Sequence, residues 1–202
     1  MPRRSGAWVS LLSVFLTLGL GKQSYFEIGG IFLKLNKTKV IVETAFSEDD
    51  SKRYFLKKVW DADKPVPIVV SKSAGADDGV FETLTQTLLT NNLYQLGYGG
   101  FCLCNLFAGI GNRETDAENL KVIQQLCKTA DYKEIICCWG NLENAAEDVQ
   151  KEAQSVIGIL TASKKTLLAV SDGEHRNCHP LSPSVRKYFE LVPYDVKGGK
   201  QE

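Results

Sequence analysis

What the sequence lacks narrows it before any motif is read. There is no charge excess: 24 Lys and Arg balance 24 Asp and Glu. A protein that coats nucleic acid through bulk electrostatics needs surplus positive charge to displace counterions. The balance argues against that class, while a local basic patch, and with it a nucleic-acid partner, stays open. There is no long, purely apolar run. The stretch from Ala7 to Leu20 is too short and too rich in Ser, Thr and Gly for a stable membrane span. No repeat, low-complexity tract or linker interrupts the chain, which reads as one domain with a proper core.

Several catalytic signatures are missing too. Gly109-Ile110-Gly111-Asn112 lacks the third glycine of a dinucleotide fingerprint, and no Lys-Ser/Thr completes a phosphate loop. Without a Gly-x-Ser-x-Gly elbow, a hydrolase triad from Ser71 or Ser73, His179 and Asp172 has little support. His175, Cys178 and His179 have no zinc-finger spacing, so neither a metal nor another cofactor is expected.

The six cysteines point to a compartment. Cys102/Cys104 and Cys137/Cys138 lie in apolar runs that read as buried strands. Such close pairs have poor disulfide geometry, so reduced thiols and a cytoplasmic location are expected. The N-terminus supports the alternative. Arg3 and Arg4, the apolar stretch and Gly19-Leu20-Gly21 outline a secretory signal. In a secreted chain Asn36-Lys37-Thr38 would be a glycosylation acceptor. Residues 1–38 are accordingly set apart as an extension or signal-like segment, and residues 39–196 as a single α/β domain.

Within that domain the periods alternate. Lys39–Phe46 and Arg53–Trp60 are β-rich and flank a polar turn, which predicts an antiparallel hairpin. Val66–Val70, Phe101–Phe107, Glu134–Trp139 and Thr166–Val170 are short apolar runs of the kind buried on both faces. Helical periods separate them at Val80–Leu96, Asp116–Ala130 and Leu142–Leu160. A β-α-β-α-β-α-β rhythm implies right-handed crossovers. The expected fold is a mostly parallel four-stranded sheet with helices on both faces and the hairpin at an edge. Pro180 to Tyr194 closes it with a short helix and an extended piece.

Ligands in such sheets bind beyond the carboxyl ends of the strands. The loops there contain both histidines, with Ser71, Ser73, Asp77, Asp78, Asn105, Phe107, Trp139 and Asn141. His179 is a candidate general acid or oxyanion donor, and a loop histidine serves equally as a turn tie. Asp77 or Asp78 is a candidate base, although helix capping is the commoner use of Asp before a helix. Asn105 suits reading of a planar ligand by its amide. Trp139 and Asn141, flanking Gly140, suit stacking and close approach, against the plainer reading of a core tryptophan before a turn.

A set of short stretches runs in order along the chain: Arg53-Tyr54-Phe55-Leu56 with Val59-Trp60-Asp61, Leu96-Gly97-Tyr98-Gly99-Gly100 and Asn105-Leu106-Phe107. Then follow Glu118-Asn119, Trp139-Gly140-Asn141, His179-Pro180-Leu181 and Leu191-Val192-Pro193-Tyr194. On this ordered set the chain resembles the domain-of-unknown-function family 1643 of bacteria and phages. The family pattern is similar in turn to uracil-DNA-glycosylase-like folds, whose His-Pro-Ser is echoed by His179-Pro180-Leu181-Ser182-Pro183. That similarity implies a nucleobase or nucleotide ligand, His179 near a developing oxyanion, and a water activated by a polar group after the first parallel strand. The family's Asn-Pro-Ser is here Ser71-Lys72-Ser73, and a serine hydroxyl is a poor base. Two functions therefore stand side by side: a site that binds or hydrolyses a nucleobase or nucleotide glycosidic bond, and a degenerate site in a non-catalytic ligand-binding or protein-interaction domain.

Overall fold

The computed structural model describes residues 24–28 and 31–196. The signal-like stretch lies outside these residues. The chain divides into two compact units, residues 1–39 and 40–202. The first contains an antiparallel hairpin, β1 (Ser24–Ile28) with β2 (Ile31–Leu35), which the sequence reading did not anticipate.

The second unit is an α/β layer structure. Its elements are β3 (Ile41–Phe46), β4 (Arg53–Val59), β5 (Ile68–Ser73), α1 (Leu84–Gln95), β6 (Gly100–Phe107), α2 (Ala117–Lys128), β7 (Glu134–Cys137), α3 (Glu147–Ala162), β8 (Thr166–Ser171) and β9 (Glu190–Pro193). A 3-10 turn spans Pro183–Val185.

The sheet is larger and more mixed than the expected four strands. Seven strands lie in the order β3-β4-β6-β5-β7-β8-β9. The central four, β6-β5-β7-β8, are parallel. The hairpin β3–β4 continues the sheet antiparallel from β6, and β9 closes the far edge antiparallel to β8. β9 is the extended piece expected at the end of the domain; that it joins the sheet could not be read from its pattern, because it is a short edge strand (Glu190, Leu191, Val192, Pro193) with its ends exposed. Only a strand covered on both faces must be a continuous apolar run.

Burial explains the centre. Ile68, Val69 and Val70 of β5 are completely buried, as are Phe101, Cys102 and Cys104 of β6 and Ile135 and Ile136 of β7. On one face α2 and α3 supply Ile123, Cys127, Val149, Ala153, Val156 and Leu160. On the other, α1 supplies Leu89 and Leu93, joined by Val185 and Phe189 from the C-terminal segment. Each fully buried side chain of this size stabilises the fold by about 1.5–3 kcal/mol. All six cysteines are free thiols, five of them buried.

Two helices start later than the periodicity suggests, for a local reason. Asp78 Oδ1 accepts from the backbone N–H groups of Val80 and Phe81, both at 2.9 Å, and Gly79 has φ +98°. That turn keeps the chain non-helical until Thr83, whose hydroxyl caps α1 through the Gln86 N–H. After β7, Asn141 Oδ1 accepts from Glu143 N–H at 2.8 Å, and α3 begins at Glu147. No helix among the described residues is long and apolar enough to cross a membrane.

Candidate functional site

β5 is the first parallel strand in the chain, and the sheet grows from it in both directions. The connection through α1 leads to β6 on one side, and that through α2 leads back across to β7 on the other. A crevice opens beyond the carboxyl end of a strand flanked in this way. Register then sets a polar row. Ser71 of β5 is the direct partner of Asn105 of β6, and partners in a parallel pair share a face. Next to Ser71, Cys138 N–H bonds Val70 O at 2.9 Å. The row Asn105, Ser71, Cys138 therefore lies where the inter-strand loops diverge. Ser71 is only 3% exposed.

His179 is carried to this row from the far end of the chain. Its Nε2 lies 3.5 Å from Ser71 Oγ. Behind the ring, the Leu181 backbone N–H donates to Nδ1 at 3.1 Å. A nitrogen that accepts a hydrogen bond cannot carry the proton of a neutral imidazole, so the proton sits on Nε2. Pro180, buried and without an N–H, leaves Leu181 as the first donor after His179. Gly140 lies close against His179. Its φ of +89° turns the chain after β7 through a left-handed conformation, and a Cβ there would sit 3.5 Å from His179 Cβ.

The environment keeps the imidazole uncharged. Burial lowers the His179 pKa, with help from the nearby Lys72 ammonium, to about 4. At neutral pH the ring is a donor from Nε2 and has no free lone pair facing Ser71. The serine-nucleophile arrangement needs that lone pair as base, so Ser71 and His179 do not form one. Cys138 is no nucleophile either: burial pushes its thiol up to about 12.

The carboxylates considered as bases have other partners. Asp77 is buried in an ion pair with Arg53, itself only 1% exposed. The same guanidinium donates from Nη2 to Asn105 Oδ1 at 3.0 Å. Asp77 is thus neither a helix cap nor a free base; it neutralises a buried arginine. Asp78 is exposed and holds the turn before α1. Arg53 is the member of the site that sequence reasoning passed over. Its place at the start of an antiparallel strand puts it beside the carboxyl ends of β5 and β6, since its N–H bonds Ala108 O at 2.9 Å.

The remaining candidates separate by burial. Phe107 and Trp139 belong to the core on the α2/α3 side. Trp139 meets Tyr194 edge-on, with ring centroids 5.7 Å apart. Both are buried in that core and offer no free stacking face. Ser73 and Asn141 are exposed at the rim. His175 points elsewhere, bonding Asp172 through Nδ1 at 3.1 Å. Among the described residues no cluster of three or more His, Cys, Asp or Glu is placed to hold a metal ion. A separate surface hollow, lined by residues such as Gln124, Cys127, Lys128 and Lys165, lies at the C-terminal ends of α2 and α3. That is the opposite end of the sheet from His179.

These features define an α/β domain with a buried polar row and His179 at the carboxyl ends of its central strands. The chain belongs to the family described as Protein of unknown function (DUF1643), whose model matches residues 53–181. The matched region begins at Arg53 and ends at Leu181, so it includes the whole polar row. No curated protein and no solved structure matches the chain.

Proposed function

We propose that the crevice beyond β5 and β7 binds a nucleobase-containing small molecule, with His179 donating from Nε2 to one of its oxygens and Ser71 and Asn105 beside it. The observation that carries this is the double tethering of His179: Nδ1 receives the Leu181 N–H, and Nε2 faces Ser71. An imidazole fixed in one tautomer costs little to reorganise when a ligand arrives, which favours recognition of an acceptor atom. The short His179-Pro180 likeness to glycosylase sequences supports the nucleobase class.

Binding without turnover is the favoured form of this reading. Hydrolysis of a glycosidic bond needs a base within hydrogen-bond reach of the attacking water. Asp77 is committed to Arg53 and Asp78 to its turn. Cleavage is the second reading, favoured by one feature. A neutral N–H donor is the group that stabilises negative charge developing on a departing base.

Thermal denaturation with nucleobases, nucleosides, nucleotides and short single-stranded DNA tests the proposal. A ligand that binds only the folded state raises Tm by mass action. The expected result is a nucleobase-containing hit that disappears in His179→Ala. A flat panel would remove the nucleobase reading and leave a protein partner as the better one. Free base released from a nucleoside or nucleotide, and lost in His179→Ala, would replace binding by cleavage.

A further inference from the structure

Three buried asparagines of this chain all put their amides to use. Asn92 accepts from the Phe189 N–H and donates to Leu88 O. Asn119 donates to the carbonyls of Asn105 and Leu106, and Asn105 accepts from Arg53. Gln86 differs. It is completely buried, and neither Oε1 nor Nε2 has a hydrogen-bond partner among the described residues. Exchanging the two atoms repairs nothing, because both are unpaired. A buried amide that gives up water and gains no partner destabilises the fold. The sequence offers it one: Thr83-x-x-Gln86 has the spacing of a capping box, in which the glutamine folds back onto the N–H of the cap residue. Only the threonine half is made, Thr83 Oγ1 accepting from the Gln86 N–H at 3.4 Å.

The place of this amide gives it meaning. Gln86, Leu89 and Leu93 are buried residues of α1, and their i, i+3, i+7 spacing puts them on one helix face. Leu89 and Leu93 belong to the cluster that contains Val69 and Leu103. Ser71 and Asn105 follow Val69 and Leu103 by two positions, so they lie on the same face of the sheet, one step nearer the carboxyl ends. α1 crosses from the carboxyl end of β5 back to the start of β6. One turn toward its N-terminus is therefore also a step toward the carboxyl ends, which brings Gln86 to the level of the polar row. Packing at the start of the helix agrees. A Cβ added at Gly75 would meet Asp77 Oδ1 at 2.8 Å and the Thr83 methyl at 3.0 Å. The cap of α1 thus lies beside the carboxylate that pairs with Arg53, and Arg53 holds Asn105.

We infer that Gln86 is the specificity-determining residue of this site, its amide reading the edge of the ligand's base. Nε2–H would meet an acceptor there and Oε1 an adjacent donor, the pair that an amide matches and that base edges carry. This rests on the nucleobase reading above. His179 and Gln86 then divide the recognition: the imidazole donates to an oxygen, and the amide selects for the neighbouring donor and acceptor. The unpaired amide of the free chain is a stability cost kept at a functional position. Gln86 is as enclosed as Ser71 and Asn105, so entry requires residues 74–83, which join β5 to α1 without helix or strand, to move aside. The role is one of binding, and no bond is made or broken.

The full chain is tested first without ligand. Gln86→Met keeps the length of the side chain and removes the unpaired amide, so Tm should rise by about 2–4 °C. Calorimetry then takes uridine, cytidine, adenosine and guanosine, each beside a counterpart methylated at its edge donor: 3-methyluridine, N4,N4-dimethylcytidine, N6,N6-dimethyladenosine and 1-methylguanosine. At least one nucleoside should bind about tenfold or more tightly than its counterpart. Gln86→Met should erase that preference, whereas His179→Ala should weaken both members of the pair and keep it. A Tm unchanged or lowered in Gln86→Met, and in Gln86→Leu as a second variant, would mean that an internal water or a neighbouring group already satisfies the amide, and would overturn the inference. So would counterparts that bind as well as their parents, or a preference that survives Gln86→Met; both results leave the nucleobase reading standing. Binding of no nucleoside would remove that reading and the role of Gln86 with it, whatever the Tm of the variants.

Discussion

At the scale of single residues, His179 links folding to pH. Its folded pKa is about 4, below the ordinary value of 6.5. Between those values the unfolded chain binds the proton more readily than the folded one, so stability falls as pH falls. The contribution is fully present above about pH 6.5, decreases through the window, and is gone below about pH 4. Its size is at most on the order of 3 kcal/mol. Urea unfolding at pH 7, 5.5 and 4 should show a steeper loss in the unmodified chain than in His179→Gln. Parallel pH profiles for the two would mean that the ring is not held neutral. Arg53 makes the second case. Removing one partner of a buried ion pair leaves an uncompensated charge, which costs about 3–5 kcal/mol. Arg53→Met should therefore destabilise strongly, and Arg53→Met combined with Asp77→Leu should recover much of the loss. A double mutant no more stable than Arg53→Met alone would argue that the arginine acts through Asn105 rather than through Asp77. The sequence supplied His179 as a candidate because a rare residue sat in the right loop. It could not supply the partnership of Arg53 with Asp77. Those residues are far apart in the chain, and a charged residue beginning a half-exposed strand reads as solvated. The amide orientation of Asn105 follows from that pairing and was hidden for the same reason.

Elements were legible in proportion to how completely they are buried. The four parallel strands announce themselves because both faces are covered, which forces continuous apolar runs such as Ile68-Val69-Val70. β9 and the β1–β2 hairpin give no such signal. Helix starts were displaced where side chains build turns, as Asp78 and Asn141 do. Where the cap itself lies at the start of the period, the sequence reading and the structure coincide. Asp116 caps α2, accepting from the Glu118 N–H at 2.9 Å, and also meets Lys52 at 3.0 Å. Asp116→Ala should lower stability by about 1 kcal/mol, the usual worth of a cap. Asp116→Ser should keep most of it, because a serine hydroxyl can cap while the ion pair is lost. If serine were as damaging as alanine in denaturant unfolding, the contact with Lys52 would outweigh the cap. α2 matters to the site because Asn119, three residues into it, donates from Nδ2 to the carbonyls of Asn105 and Leu106 at 2.9 and 3.0 Å. A frayed first turn would loosen the end of β6 that positions Asn105.

At the scale of the whole molecule, the region matched by the family stops short of the C-terminal part of the core. The family match ends at residue 181, two residues beyond His179. The chain after it completes the α1 face of the core. Val185 and Phe189 are fully buried there with Leu89 and Leu93. Asn92 of α1 accepts at Oδ1 from the Phe189 N–H at 3.0 Å. β9 pairs with β8 through Leu168, Ala169, Val170 and Ser171. Losing the two side chains alone removes about 3–6 kcal/mol of burial, comparable to the total stability of many domains. It also uncovers β8 and the face on which Ser71 and Cys138 lie. A chain cut to residues 53–181 should therefore fail to unfold cooperatively, whereas residues 40–196 should melt as one transition and retain whatever ligand affinity the full chain has. Calorimetry on the two fragments decides between them. Cooperative melting of 53–181 would show that the C-terminal segment is an accessory. Its absence, with binding intact in 40–196, would mean that His179 keeps its place against Ser71 because the residues following it are anchored on α1 and β8.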